Sequence, residues 1–138
     1  MQKVILDTNI IVSALIQKSY PHYIVFNHVL EDYVQLCLSE ALLDEYRDVL
    51  SRPKFAGIVH FTQNAEIVIN RFAKIALFYK PKICIDIIKD KSDNKLLELA
   101  VESDANFLIT GNNVDFTMVR YKNTQILSPH DYWENYCV

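Results

Sequence analysis

A chain of 138 residues, 51% hydrophobic and 22% charged, has the balance of a folded globular protein and the length of one domain with a real core, residues 1–138. Its two glycines, Gly57 and Gly111, exclude the glycine-rich phosphate loops of P-loop and dinucleotide-binding proteins. A net charge of −3 excludes whole-molecule attraction to nucleic acid, so any contact with a polyanion must use local basic patches or bound cations.

The first element is a short apolar strand, Val4-Ile5-Leu6, that runs straight into Asp7-Thr8-Asn9. It reads as strand, carboxylate and helix N-terminus, with Thr8 or Asn9 as the cap and a helical stretch from Ile10 to Ile16. A second amphipathic piece, Tyr23 through Leu30, follows Pro21. Tyr33 to Leu38 reads as a strand closed by Ser39, a good N-cap, and residues 40–51 as a helix that ends before Arg52-Pro53. Residues 63–79 carry a broad helical pattern that Pro81 stops, and Ile83-Cys84-Ile85 reads as a third strand. Asp90-Lys91-Ser92-Asp93-Asn94 reads as a loop feeding a helix to Glu102. Asn106 to Thr110 reads as a strand ending at Gly111, and Thr124 to Leu127 as a late strand before a C-terminal helix. Strands alternating with helices predict a parallel sheet with right-handed crossovers.

The three cysteines, Cys37, Cys84 and Cys137, suggest neither a disulfide framework nor a zinc site, and Cys37 and Cys84 are expected to be buried small hydrophobes. The first residues lack a basic segment, and Asp7 and Asn9 break the early apolar run. No signal peptide or membrane span is expected, which favours a cytoplasmic location.

In open parallel sheets the ligand crevice lies at the carboxyl ends of the strands. Asp7 follows strand one, Asp93 opens the helix before the Asn106–Thr110 strand, and Asn112 and Asp115 follow that strand. In the helix 40–51, Leu42, Leu43, Tyr46, Val49 and Leu50 form the apolar face, and Glu45 falls roughly 100° from its centre, where an acid can reach inward. Carboxylates gathered at one sheet edge repel each other unless a cation joins them, and oxygen ligands suit Mg²⁺ or Mn²⁺. Such a cluster supports in-line attack of an activated water on a phosphodiester.

On these residues the chain resembles a PIN domain, a family of metal-dependent ribonucleases that includes toxins of bacterial toxin–antitoxin pairs. The resemblance rests on Val4-Ile5-Leu6-Asp7-Thr8-Asn9, on Leu38-Ser39-Glu40-Ala41-Leu42-Leu43-Asp44-Glu45 with Arg52-Pro53-Lys54-Phe55, on Asp90-Lys91-Ser92-Asp93-Asn94 followed by Leu97-Glu98-Leu99-Ala100, and on Ala105 to Gly111. It implies a three-layer α/β/α fold with a central parallel sheet of four to five strands. It also implies a Mg²⁺- or Mn²⁺-dependent endoribonuclease that leaves 5′-phosphate and 3′-hydroxyl ends. Asp7, Glu45 and Asp93 match the three acids of the family's metal site, Asn9 the residue that orients the first acid, and Thr110 the hydroxyl beside it. The family's fourth acid is replaced by Asn112, a neutral oxygen ligand, and either Asn112 or Asp115 completes the set. Asp90 is a supporting or capping residue. RNA, a small antitoxin and a second copy of the chain are the implied partners.

Arg47, Arg52 and Lys54, with Lys89, Lys91 and Lys95, could flank the crevice and hold an RNA backbone. The four histidines read as surface or packing residues, and the aromatics around Tyr20, Tyr23, Phe26 and Tyr33 as core or interface. A haloacid-dehalogenase phosphatase would need an acid where Asn9 stands, and a receiver domain an adjacent acidic pair. The alternative outside the enzymes is a degenerate module that binds RNA or protein in the same crevice without cutting.

Overall fold

The computed structural model describes residues 1–112, 116 and 118–137. A six-stranded sheet lies in the order β3-β2-β1-β4-β6-β5, formed by β1 (Lys3–Leu6), β2 (Gln35–Leu38), β3 (Leu77–Phe78), β4 (Phe107–Ile109), β5 (Arg120–Tyr121) and β6 (Thr124–Leu127). Five strands run parallel, within the expected four to five, and β5 adds an antiparallel ribbon at one edge. Helices α1 (Thr8–Ile16), α2 (Tyr20–Ile24), α3 (Glu40–Leu50), α4 (Phe61–Ile75), α5 (Lys91–Ser103) and α6 (Pro129–Asn135) flank it, with a π-helical turn at Val25–Val29 and a 3-10 turn at Pro53–Phe55. Among the described residues no helix is long and apolar enough to cross a membrane.

Near-continuous burial of Val4, Ile5 and Leu6 and of Leu36, Cys37 and Leu38 marks strands covered on both faces, as parallel strands are. Each fully buried Ile, Leu or Phe contributes about 1.5–3 kcal/mol, so this layer dominates stability. On α3, Leu42, Leu43, Tyr46 and Leu50 face the core while Asp44, Arg47 and Asp48 face water, the stripe read from the sequence. Ser39 caps α3 as expected, its hydroxyl accepting the Leu42 amide at 3.1 Å.

Four local expectations are corrected. Asp7, not Thr8 or Asn9, holds the N-cap position of α1, which begins at Thr8. Helix α4 stops at Ile75 rather than 79, because residues 77 and 78 pair with Cys37 and Leu38 as β3 and the Tyr79 amide donates to the Leu38 carbonyl. The expected third strand at 83–85 is a loop. The Ile85 amide donates to Glu98 of α5 instead of to a ladder, and just beyond the stretch Asn94 of α5 accepts the amides of Ile87 and Ile88. Cys84 in that loop is exposed, whereas Cys37 is buried in β2 as expected.

Candidate active site

Register brings the site together. β1 pairs with β4 as Val4↔Phe107, Ile5↔Leu108 and Leu6↔Ile109, so the next residue of each strand, Asp7 and Thr110, meet at the carboxyl edge. The Asp7 amide still donates to the Ile109 carbonyl at 3.0 Å, and the Thr110 hydroxyl donates to Asp7 Oδ2 at 2.7 Å. Asp7 is only 6% exposed. Burial raises its pKa above the ordinary 3.8. The Thr110 hydrogen bond and the backbone amides of Asn9 and Thr8 oppose that shift, while the Glu45 charge adds to it.

Glu45 reaches this edge from α3. The Thr8 hydroxyl, in the first turn of α1, donates to Glu45 Oε2. One residue on, the wholly buried Tyr46 donates its hydroxyl to the carbonyl of Leu6, the residue before Asp7. Helix α3 is thus fastened to the end of β1 through Tyr46 and to the start of α1 through Glu45. Burial, with the charges of Asp7 and Glu45 nearby, pushes the Tyr46 phenol well above 10, which keeps it a donor.

Asp93 arrives from the opposite flank. Asp90 caps α5, its carboxylate accepting the Ser92 amide at 2.8 Å, and this places Asp93 in the first helical turn, 7% exposed. The Asn112 side-chain amide donates to Asp93 Oδ2 at 3.3 Å, and the Asn112 backbone amide donates to Thr110 Oγ1 at 3.0 Å. Hydrogen bonds therefore run from Asp7 through Thr110 and Asn112 to Asp93, and from Thr8, the chain neighbour of Asp7, to Glu45.

All the donors are hard oxygens, and among the described residues neither Asp7 nor Glu45 forms an ion pair with a basic side chain. In donor type and charge they fit a hard divalent cation. As the side chains stand, no three Asp, Glu, His or Cys among the described residues are grouped to hold an ion. That is compatible with Mg²⁺, which is usually held by one or two carboxylates, waters and substrate phosphates.

A model of the PIN domain matches residues 3–114. This chain belongs to the PIN-domain family. It is similar to the uncharacterized protein MJ1680 of Methanocaldococcus jannaschii, 26% identical over 121 residues that make up 88% of this chain and 77% of that protein. Its fold is similar to that in a crystal structure of VapBC2 from Rickettsia felis bound to a DNA fragment from their promoter. That match has a TM-score of 0.57 and 16% identity, covering 92% of this chain and 98% of the other.

The remaining residues singled out from the sequence are spread around the PIN domain. Asn9 has an exposed side chain, and what it offers Asp7 is its backbone amide. Asp90 is a helix cap, and Asp115 lies outside the described residues. Arg47 and Arg52 form exposed pairs with Asp44 at 3.7 Å and Asp48 at 3.6 Å, and the Lys54 ammonium sits 5.1 Å from the Phe55 ring centroid. Lys91 is exposed in the first turn of α5, whereas Lys95, one turn on, shares a small hollow with Glu45 and Ser92. Sequence reasoning missed the tether roles of Thr8 and Tyr46. A tyrosine on the buried stripe of α3, whose hydroxyl needs a partner, was the available signal.

Proposed function

We propose that this PIN domain is a metal-dependent endoribonuclease, the toxin of a toxin–antitoxin pair. The observation that carries the reading is the convergence of Asp7, Glu45 and Asp93, from three separate elements, on hydroxyl and amide groups at one sheet edge. PIN domains are generally nucleases, and the fold match to VapBC2, a toxin–antitoxin complex, supports a small antitoxin as partner. The protein acts in the cytoplasm as a homodimer, with the antitoxin closing the crevice.

Asp7 and Glu45, with Asp93 and Asn112 on the far side, would hold Mg²⁺ or Mn²⁺. When bound, the cation polarises a phosphate oxygen and acidifies a water, the chemistry hydrolysis needs. The chain's own contribution is orientation and charge. Thr110 and the backbone amides of Thr8 and Asn9 orient the Asp7 carboxylate, and the Thr8 hydroxyl orients that of Glu45. Asn112 supplies a carbonyl without charge, so the site carries one acid fewer than a four-acid set and favours a single ion until RNA phosphate arrives. Lys95 beside Glu45, and Lys91 with Arg47, Arg52 and Lys54 farther out, neutralise the RNA backbone around the crevice.

The test is cleavage of structured and unstructured RNA with Mn²⁺, Mg²⁺ or EDTA, by wild type, Asp7→Asn and Asp93→Asn. Cutting that needs the metal and is lost in both variants is the expected result. Cutting that survives both substitutions would remove these residues from the mechanism. No cutting by any form, with Mn²⁺ binding intact, would make the chain a binding module without catalysis.

A further inference from the structure

Beyond Thr110 and Asn112 a groove of about 650 Å³ runs along β6, walled on one side by α6 and on the other by apolar side chains that include Met118 and Val119. Gln125 lies level with Phe107 and Leu127 with Ile109, so the groove extends about 10 Å from the acidic edge toward the opposite end of the sheet. Its volume falls within the range of small-molecule sites.

The lining is selective in kind. No Lys or Arg is among the described residues that line the groove, and Asp131, which lines it, has its Oδ1 3.2 Å from His130 Nδ1 and keeps Oδ2 as a second acceptor, so the groove offers a phosphate no Lys or Arg to bind. Asp131 and Asn135, four residues apart on α6, lie on the same helix face and offer a pure acceptor and a mixed donor–acceptor amide. At the far end stands Tyr136, an aromatic ring 38% exposed yet held in place. Gln125 donates to its hydroxyl at 3.0 Å, and its ring packs 5.1 Å from that of Phe107. An immobilised ring beside converging amide and carboxylate groups, next to a backbone-cutting site, is how proteins read an unstacked base of single-stranded RNA.

We infer that this groove is a nucleobase subsite that takes one unpaired base of the strand beside the scissile phosphate, stacked on Tyr136. Asp131 accepts a hydrogen bond from the exocyclic amine that adenine, cytosine and guanine carry, and these are preferred to uracil, whose one donor is the ring N3–H set back between two carbonyl oxygens that the carboxylate repels. The inference rests on the nuclease reading for its substrate, and its own readout is independent of cleavage.

The experiment titrates the full chain with adenosine, cytidine, guanosine and uridine, followed by amide NMR. The ends of fragments cut from a randomised RNA are sequenced in parallel. Amine-bearing nucleosides are expected to shift resonances of β6 and α6, about tenfold more weakly for uridine and for the variants Asp131→Ala and Asn135→Ala. Asp131→Asn, which keeps the side-chain size, serves if the alanine form unfolds. The bias against uracil at one fixed position near the cut should relax in these variants. Nucleoside binding without RNA cleavage would keep the subsite and remove the nuclease reading. Cleavage whose base preference is the same in the variants would keep the nuclease and overturn the subsite. Absence of nucleoside shifts, with α6 protected from hydrogen exchange by a bound protein, would give the groove to a protein partner and also overturn it.

Discussion

Tyr46→Phe tests the link between core and site. The substitution keeps the ring, its complete burial and its contact with Phe72 (centroids 6.3 Å apart), and removes only the hydroxyl that donates to the Leu6 carbonyl. A buried acceptor that loses its donor costs about 1–3 kcal/mol, offset in part because Phe has no hydroxyl to desolvate, so a loss of about 1.5 kcal/mol is expected. For 138 residues the unfolding entropy is about 0.3 kcal/mol/K, so Tm should fall by about 5 °C. Urea denaturation of wild type and variant should give a lower midpoint with an unchanged m-value. If Mn²⁺ binds as proposed and raises Tm, that rise should also shrink, because Tyr46 adjoins Glu45 and Leu6 adjoins Asp7. A stability loss below about 0.3 kcal/mol, or an unaltered Mn²⁺ shift, would refute the claim that this hydroxyl fastens α3 to the site.

Two further outcomes follow from groups away from the acids. The His28 ring is buried, stacked on Tyr33 at 5.6 Å, flanked by Tyr132 and Trp133, with Cys137 Sγ 3.5 Å from Nδ1, and burial holds its pKa below the ordinary 6.5. The unfolded chain therefore binds the proton first, and stability should decline as pH falls from 6.5 toward the lower folded value; denaturation midpoints at pH 7.5, 6.5 and 5.5 should show this decline, and His28→Gln should flatten it. Ser39→Ala removes the hydroxyl that caps α3 and should cost about 1 kcal/mol in urea denaturation, whereas a neutral result would mean that the Leu42 amide finds another partner.

The sequence was most legible where local chemistry and hydrophobic pattern agree. The apolar run into Asp7, the Ser39 cap followed by the stripe of α3, and the strand ending at Thr110-Gly111 each carry their own punctuation, and the structure keeps them within a residue or two. Residues 77–85 show the limit. Periodicity continued the helix to 79 and an apolar triplet suggested a strand at 83–85, but pairing with Leu38 decides the first, and in the second the Ile85 amide goes to Glu98 rather than to a neighbouring strand. Both depend on partners distant in the chain, which a local pattern does not carry. The two-residue strand β5 has too little pattern to read, being defined by its pairing with β6.

The candidate site divides in the same way. Local pattern pointed to Asp7, Glu45 and Asp93, an acid after an apolar strand, one on the flank of an amphipathic helix and one opening a helix, with Asn112 or Asp115 after the next strand, whereas Thr110 entered through the resemblance to PIN domains. Strand register and the crossovers alone decided that Asp7 meets Thr110, that Asn112 reaches Asp93, and that Thr8 serves Glu45 rather than capping its own helix. Periodicity determines which face of an element is apolar. It does not determine which polar groups on different elements will stand within 3 Å of one another, because that distance is fixed by packing of the whole core.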